Sequence, residues 1–208
     1  LNASIGTITE NGEGTWSWIF ATSDGPDESQ TVTIRATDSD GAWTEVSFDL
    51  TVINVAPFVT VDNSTVTVDE GQNTDNSGTH FDKGADDVTL SASVGSITDN
   101  GDGTWNWIFA ATDGPAESQT VTITATDSDG AASTVVFDLI VNNVAPAVSV
   151  AGLLAIRLEG TPINLVSTVT DPGADSFTYD WKVTKNGLEY ATGDGAAFAY
   201  TPDGDGQY

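Results

Sequence analysis

The sequence predicts an all-β chain in which Greek-key β-sandwiches follow one another in a linear array with a period of 89 residues. Three observations carry this. The composition is rich in Val, Thr and aromatic residues and holds 21 Gly, the signature of short strands joined by turns. Apolar and polar residues alternate over short runs, and no segment shows a helical period. Finally, NGEGTWSWIF at Asn11–Phe20 returns as NGDGTWNWIF at Asn100–Phe109.

The repeat sets the domain organisation. A shift of 89 aligns Leu1–Val61 with Leu90–Val150 without a gap, at about 70% identity. DGP, ATDSDGA and NVAP recur verbatim, and the same shift carries Glu70-Gly71 onto Glu159-Gly160 and Asp82–Asp86 onto Asp171–Asp175. NVAP is the natural boundary, because Pro fixes φ and extends the residue before it, giving a short stiff linker. Cutting there gives 1–55, a partial repeat without its opening strands; 56–144, a complete repeat; and 145–208, a partial repeat without its last strands. The chain is expected to be a window on a longer array.

Within the complete repeat, Phe58–Val61 alternates and Thr65–Val68 is read as its continuation. Gln72–Phe81 is polar and signals a strand weakly, whereas its counterpart Ile163–Val169 does so strongly. Val88–Val94 is the next strand. Gly95–Thr98 and Thr104–Phe109 flank an Asn-Gly, a hairpin signal because both residues tolerate positive φ. Thr120–Thr126 and Val135–Val141 complete about seven strands, the number a Greek-key sandwich needs. Trp105, Trp107 and Phe109 share one strand face, as do Trp16, Trp18 and Phe20. Such a triplet forms either core, contributing roughly 6–9 kcal/mol of transfer free energy before entropy is subtracted, or an exposed platform for sugar rings.

Five basic residues stand against 31 acidic ones, a formal charge of −26. Such a chain repels nucleic acid and anionic membrane surfaces and attracts cations. At 38% hydrophobic, with six Trp, it is not a disordered acidic tail. There is no Cys, so no disulfide and no thiol chemistry, and no apolar run long enough to span a bilayer. Leu1–Ser4 does not read as a signal peptide. His80 is the single His and is read as a surface strand residue. With repeated turn acids and no evident cleft, the chain is expected not to be an enzyme.

ATDSDGA before a final strand, NVAP linkers, EG after the first strand and DxGAD before FTYDW (Phe177–Trp181) resemble polycystic-kidney-disease-type (PKD) repeats and the bacterial cadherin-like repeats of large secreted proteins. The resemblance implies immunoglobulin-like sandwiches, an extracellular or cell-surface location, a tandem stalk and calcium at the domain joints.

The residues support calcium on their own chemistry, since that ion takes six to eight oxygen ligands. In a sandwich of this order the AB and EF loops lie where the chain leaves, and the BC and FG loops where it arrives. The first joint would gather Asp24, Asp27 and Glu28 from the outgoing side, Asn54 from the linker, and Asp82, Asp86, Asp87, Asp127 and Asp129 from the incoming side. The second would gather Glu70, Asp113 and Glu117, linker Asn142 and Asn143, and Asp171 and Asp175. The competing reading is that each Asp shapes its own turn. NGDG lacks ligand spacing, with Gly101 in the second position, and is left out. Three functions remain: a calcium-stiffened structural or adhesive spacer contacting its neighbouring repeats, a carbohydrate-binding or accessory module, and a self-assembling filament subunit.

Overall fold

A computed structural model describes residues 1–152 and 158–208. Among the described residues every regular element is a strand. The first repeat holds β1 (Asn2–Ala3), β2 (Thr7–Gly12), β3 (Thr15–Ile19), β4 (Gln30–Thr37) and β5 (Trp43–Leu50). The second holds β6 (Phe58–Val59), β7 (Thr65–Asp69), β8 (Asn73–Phe81), β9 (Thr89–Ala92), β10 (Ser96–Asp99), β11 (Thr104–Ala110), β12 (Gln119–Thr126) and β13 (Ala132–Asn142). The third holds β14 (Ala147–Ala151), β15 (Ile163–Thr170), β16 (Trp181–Lys185), β17 (Leu188–Gly193) and β18 (Ala197–Tyr200).

The second repeat is an immunoglobulin-like sandwich of two four-stranded sheets, ordered β10-β11-β8-β6 and β7-β13-β12-β9. β6 and β7 therefore belong to opposite sheets, so Thr65–Val68 does not continue Phe58–Val61 as one strand. The chain changes sheet between them, which ties the two layers together. The first repeat shows the sheet β1-β4-β5 and the hairpin β2-β3; the third shows the sheet β14-β15-β18 and the hairpin β16-β17. By contact the chain divides into two compact units, one of Leu1–Val66, Asp75–Phe109 and Thr120–Asp138, the other of Thr67–Thr74, Ala110–Gln119 and Leu139–Tyr208.

In the first unit the core holds Trp105, Trp107, Val121, Ile123, Ala125 and Phe137, all buried. Trp107 meets Phe137 edge to face at 4.9 Å, a favoured aromatic geometry. This triplet is therefore core in the second repeat rather than a sugar platform. Gly78 of β8 explains why that strand is so faint in sequence: an added Cβ would stand 2.6 Å from the Trp105 ring. Asn76, buried on the same strand, is satisfied by Asn63, donating Nδ2 to its carbonyl at 2.9 Å and accepting from its amides. In the second unit Ile163, Leu165 and Phe198 form a smaller core against Trp181, Val183, Ala191 and Tyr200.

Trp107 Nε1 donates to Val94 O at 2.7 Å, as Trp18 Nε1 does to Ile5 O. Gly95 sits beneath that bond with φ of 77°, and an added Cβ would lie 2.5 Å from Nε1 and 2.6 Å from Ile108 O. Gly101 has the same φ but open space around it. Gly95→Ala is thus expected to destabilise by about 2–4 kcal/mol, from left-handed strain plus a clash with the Trp107 indole and the Ile108 carbonyl, and Gly101→Ala by about 1–2 kcal/mol from strain alone. Urea unfolding of the two variants side by side checks the difference.

Candidate functional site

The DxGAD loop between β8 and β9 begins with an Asp that folds it: Asp82 Oδ1 accepts Gly84 N at 2.7 Å. The second copy does the same, Asp171 Oδ1 accepting Gly173 N at 2.8 Å. Asp86 Oδ1 accepts from Ser128 Oγ at 2.6 Å. So the turn-shaping role is real, but it uses one oxygen of each carboxylate. The other oxygen, Oδ2 of Asp82, Asp86 and Asp171, is buried with no hydrogen-bond partner. An unpaired buried carboxylate oxygen is costly, and a cation satisfies it without a proton.

Carboxylates from successive repeats approach one another at these joints. In the first unit, Asp24 from the loop after β3, Asp86 and Asp129 each place an oxygen within 4.8 Å of the others, and Asp82, Asp86 and Asp127 do so as well. Asp86 belongs to both groups. Asp127 is buried; its Oδ1 accepts Ala131 N at 2.8 Å and its Oδ2 accepts linker Asn54 Nδ2 at 2.9 Å. Lys83 lines the hollow beside Asp24 and Asn54, where the second joint has Pro172.

In the second unit the corresponding group is Glu70, Asp171 and Asp175. Glu70, from the turn between β7 and β8, is 1% exposed. Its Oε2 accepts Gly114 N at 2.8 Å and its Oε1 accepts Val144 N at 2.7 Å, fastening the EF loop and the linker to one carboxylate. Asn143 turns its amide towards two acceptors. With Nδ2 facing them it donates to Gly114 O at 3.2 Å and Asp175 Oδ2 at 3.1 Å.

Not every residue singled out in the sequence faces the gap. Glu28 folds back on its own loop, accepting Ser23 N at 2.7 Å and Asp24 N at 3.1 Å. Glu117 does the same to Thr112 N and Asp113 N. These bonds, led by the one from Ser23 or Thr112, hold both glutamates below the usual carboxylate range. Asp27 and Asp113 stand near enough to act through charge: Asp27 on Asp24 and Asp129, Asp113 on Asp175. Asp87 is exposed and joins none of the three groups. Asn142 donates to Asp69 instead, at 3.0 Å. The sequence reading missed Ser128, whose hydroxyl aims Asp86, and Gly173, where an added Cβ would lie 2.5 Å from the Glu70 carboxylate. The G of DxGAD was the available signal for the latter. His80 is a strand residue but not a surface one: its side chain is 10% exposed and Nε2 meets Asp99 Oδ1 at 3.1 Å.

Desolvation first, and neighbouring carboxylates second, push Asp24, Asp129 and Asp175 above the usual carboxylate value of 3.8. Asp86 is the foremost charged neighbour of Asp24 and Asp129, and Glu70 of Asp175. Acids raised in the fold bind protons more tightly folded than unfolded, so without a cation stability increases as pH falls from neutral towards their titration. Glu28 and Glu117, held low, act in the opposite sense: their contribution is present above the ordinary value of 4.5 and is lost as pH falls below it. Calorimetry in chelator across this range is expected to show a melting temperature that first rises on acidification and then drops.

The sequence matches no protein-family model and no curated protein. Among solved structures, the chain is similar to the extracellular cadherin domains 3–6 of protocadherin gamma B2, at 18% identity over 76% of this chain and 43% of that one, with a TM-score of 0.41. It is similar to titin domains Z1Z2 in complex with telethonin at 18% identity over 71% and 81%, TM-score 0.39. It is also similar to the fibronectin(III)-like modules of CbhA from Clostridium thermocellum, at 20% identity over 55% and 63%, TM-score 0.35. The fold assignment rests on the strand order of the second repeat, to which these likenesses add nothing.

Proposed function

We propose that this chain is a structural, adhesive spacer segment of a bacterial extracellular or cell-surface protein, built of PKD-type, cadherin-like repeats whose joints are stiffened by calcium. One observation carries the reading: carboxylates from successive repeats converge at each joint, and Oδ2 of Asp82, Asp86 and Asp171 are buried there without a partner. The donor set is all oxygen, with no His or Cys, which suits a hard cation and not zinc. Asp24, Asp82, Asp86, Asp127 and Asp129 with Asn54 would hold it at the first joint, and Glu70, Asp171, Asp175 and Asn143 at the second. A bound divalent ion would offset the repulsion among these acids and fix the linker between two sandwiches. Each repeat would then contact chiefly its neighbours, as linear arrays do.

Small-angle scattering tests this directly. Calcium is expected to lengthen and narrow the distance distribution relative to chelator, and magnesium to do so less, because it resists replacing its waters with a flexible protein cage. Superimposable curves in calcium and chelator would sink the stiffening role.

A further inference from the structure

We propose that the outer face of the β4–β5 pair in the first repeat is a binding site for neutral polysaccharide, centred on Trp43. β4 and β5 run antiparallel, with Arg35 opposite Glu45 and Thr37 opposite Trp43. These four residues share one face, because side chains two apart in a strand point the same way. That face is the outer one, since Val32 and Ile34, of the other parity, are buried. Trp43 is 58% exposed. The Arg35 guanidinium lies 4.3 Å from the centroid of its ring. Glu45 Oε1 accepts from Arg35 Nε at 2.7 Å and stands 2.6 Å from Nη2. Glu45 thus pins the guanidinium, and the guanidinium steadies the indole by a cation–π contact.

The second repeat is an internal comparison. It keeps the inward residues, with Val121, Ile123 and Phe137 at the positions of Val32, Ile34 and Phe48. At the positions of Arg35, Trp43 and Glu45 it has Thr124, Ala132 and Thr134. The cluster therefore differs as a set while the core beneath it does not. The second repeat has both four-stranded sheets, and there Ala132 and Thr134 are exposed. This part of the outer face is thus open in a complete sandwich. Neither the core nor the joints include the cluster, and an exposed ion pair adds little to stability. Binding a ligand gives the three residues a role.

The surroundings select the chemistry of that ligand. Next along the face, the hydroxyls of Thr33 and Ser47 lie 3.3 Å apart, and beyond them Thr31 Oγ1 donates to Asp49 Oδ1 at 2.9 Å. Trp43 is one apolar ring at the end of a polar strip, which suits a sugar better than the apolar centre of a protein interface. A pyranose can lay its C–H face on the indole and offer its hydroxyls to Arg35, Glu45 and the hydroxyl row. Successive pairs on one face are about 7 Å apart, so the strip runs about 20 Å, room for several sugar units. The net charge of −26 repels acidic glycans and leaves neutral ones.

Affinity electrophoresis of the full chain tests this, in chelator so that the calcium joints play no part. The gels carry hydroxyethyl cellulose, soluble starch, galactomannan or polygalacturonate. At least one of the three neutral polymers is expected to retard the wild type, and polygalacturonate is not. Trp43→Ala, checked for folding by near-UV circular dichroism, should abolish the retardation. Thr124→Arg, Ala132→Trp, Thr134→Glu and Val136→Ser, which together copy the site into the second repeat, should restore it in the Trp43→Ala background. Unchanged wild-type mobility in all three neutral gels overturns the proposal. So does retardation that persists in Trp43→Ala, retardation by polygalacturonate alone, or a folded transplant that fails to restore binding.

Discussion

Saturating calcium is expected to raise the melting temperature of this chain by roughly 5–10 °C for each joint it fills. A ligand that binds only the folded state stabilises it by about 2.7 kcal/mol at a hundredfold excess over Kd, and a protein of this size gains about 2–4 °C per kcal/mol. The gain arises from two sources. A bound ion would satisfy carboxylate oxygens that the fold buries without donors, and it would offset the desolvation and mutual repulsion that raise Asp24, Asp129 and Asp175. Asp86→Asn should remove most of the gain at the first joint, because Asp86 stands in both of its acidic groups. Asp175→Asn should remove only the gain at the second. In chelator both variants should melt at or above the wild type, since each deletes a charge from a repelling cluster. This sign reversal separates a metal site from a set of turn-forming acids. If either Asn variant loses stability equally with and without calcium, the carboxylate is structural and the ion has no part in it.

The sandwich and its period were legible because alternation and the repeat are local and redundant. β11, β12 and β13 could be read directly, and their copies in the first repeat repeated the message. β8 was faint because its inward positions hold Asn76 and Gly78, chosen for a buried amide network and for the Trp105 ring rather than for hydrophobicity. The change of sheet between β6 and β7 was invisible, since nothing in Thr65–Val68 tells which layer the strand will join. At the joints the sequence showed which loops would meet but not how each carboxylate would divide its oxygens. Glu28 and Glu117 occur in the same DGPxES block as Asp24 and Asp113, yet they close the loop on itself while Asp24 faces the gap. That division depends on backbone direction at a turn, which residue type and spacing do not encode.

Glu70→Ala is expected to destabilise the second unit by about 2–5 kcal/mol whether or not calcium is present, a larger loss than any ligand-only acid should give. Glu70 is buried, and its two oxygens accept the N–H groups of Gly114 and Val144. Removing the side chain strands both donors, at about 1–3 kcal/mol each, and leaves a void beside Gly173. Relief of repulsion with Asp171 and Asp175 offsets part of this, which is why the lower end of the range is included. Glu70→Gln distinguishes the two roles. Its carbonyl can still accept one N–H, so in chelator it should lose less than the alanine variant, while its neutral amide should weaken calcium at the second joint. Differential scanning calorimetry of the three proteins, each in chelator and in calcium, gives the ordering. Near-wild-type melting of Glu70→Ala in chelator would show that the linker is held by something other than this carboxylate. Glu70 would then be only one more acid in the cluster, and the coupling of EF loop, linker and cation through a single side chain would have to be abandoned.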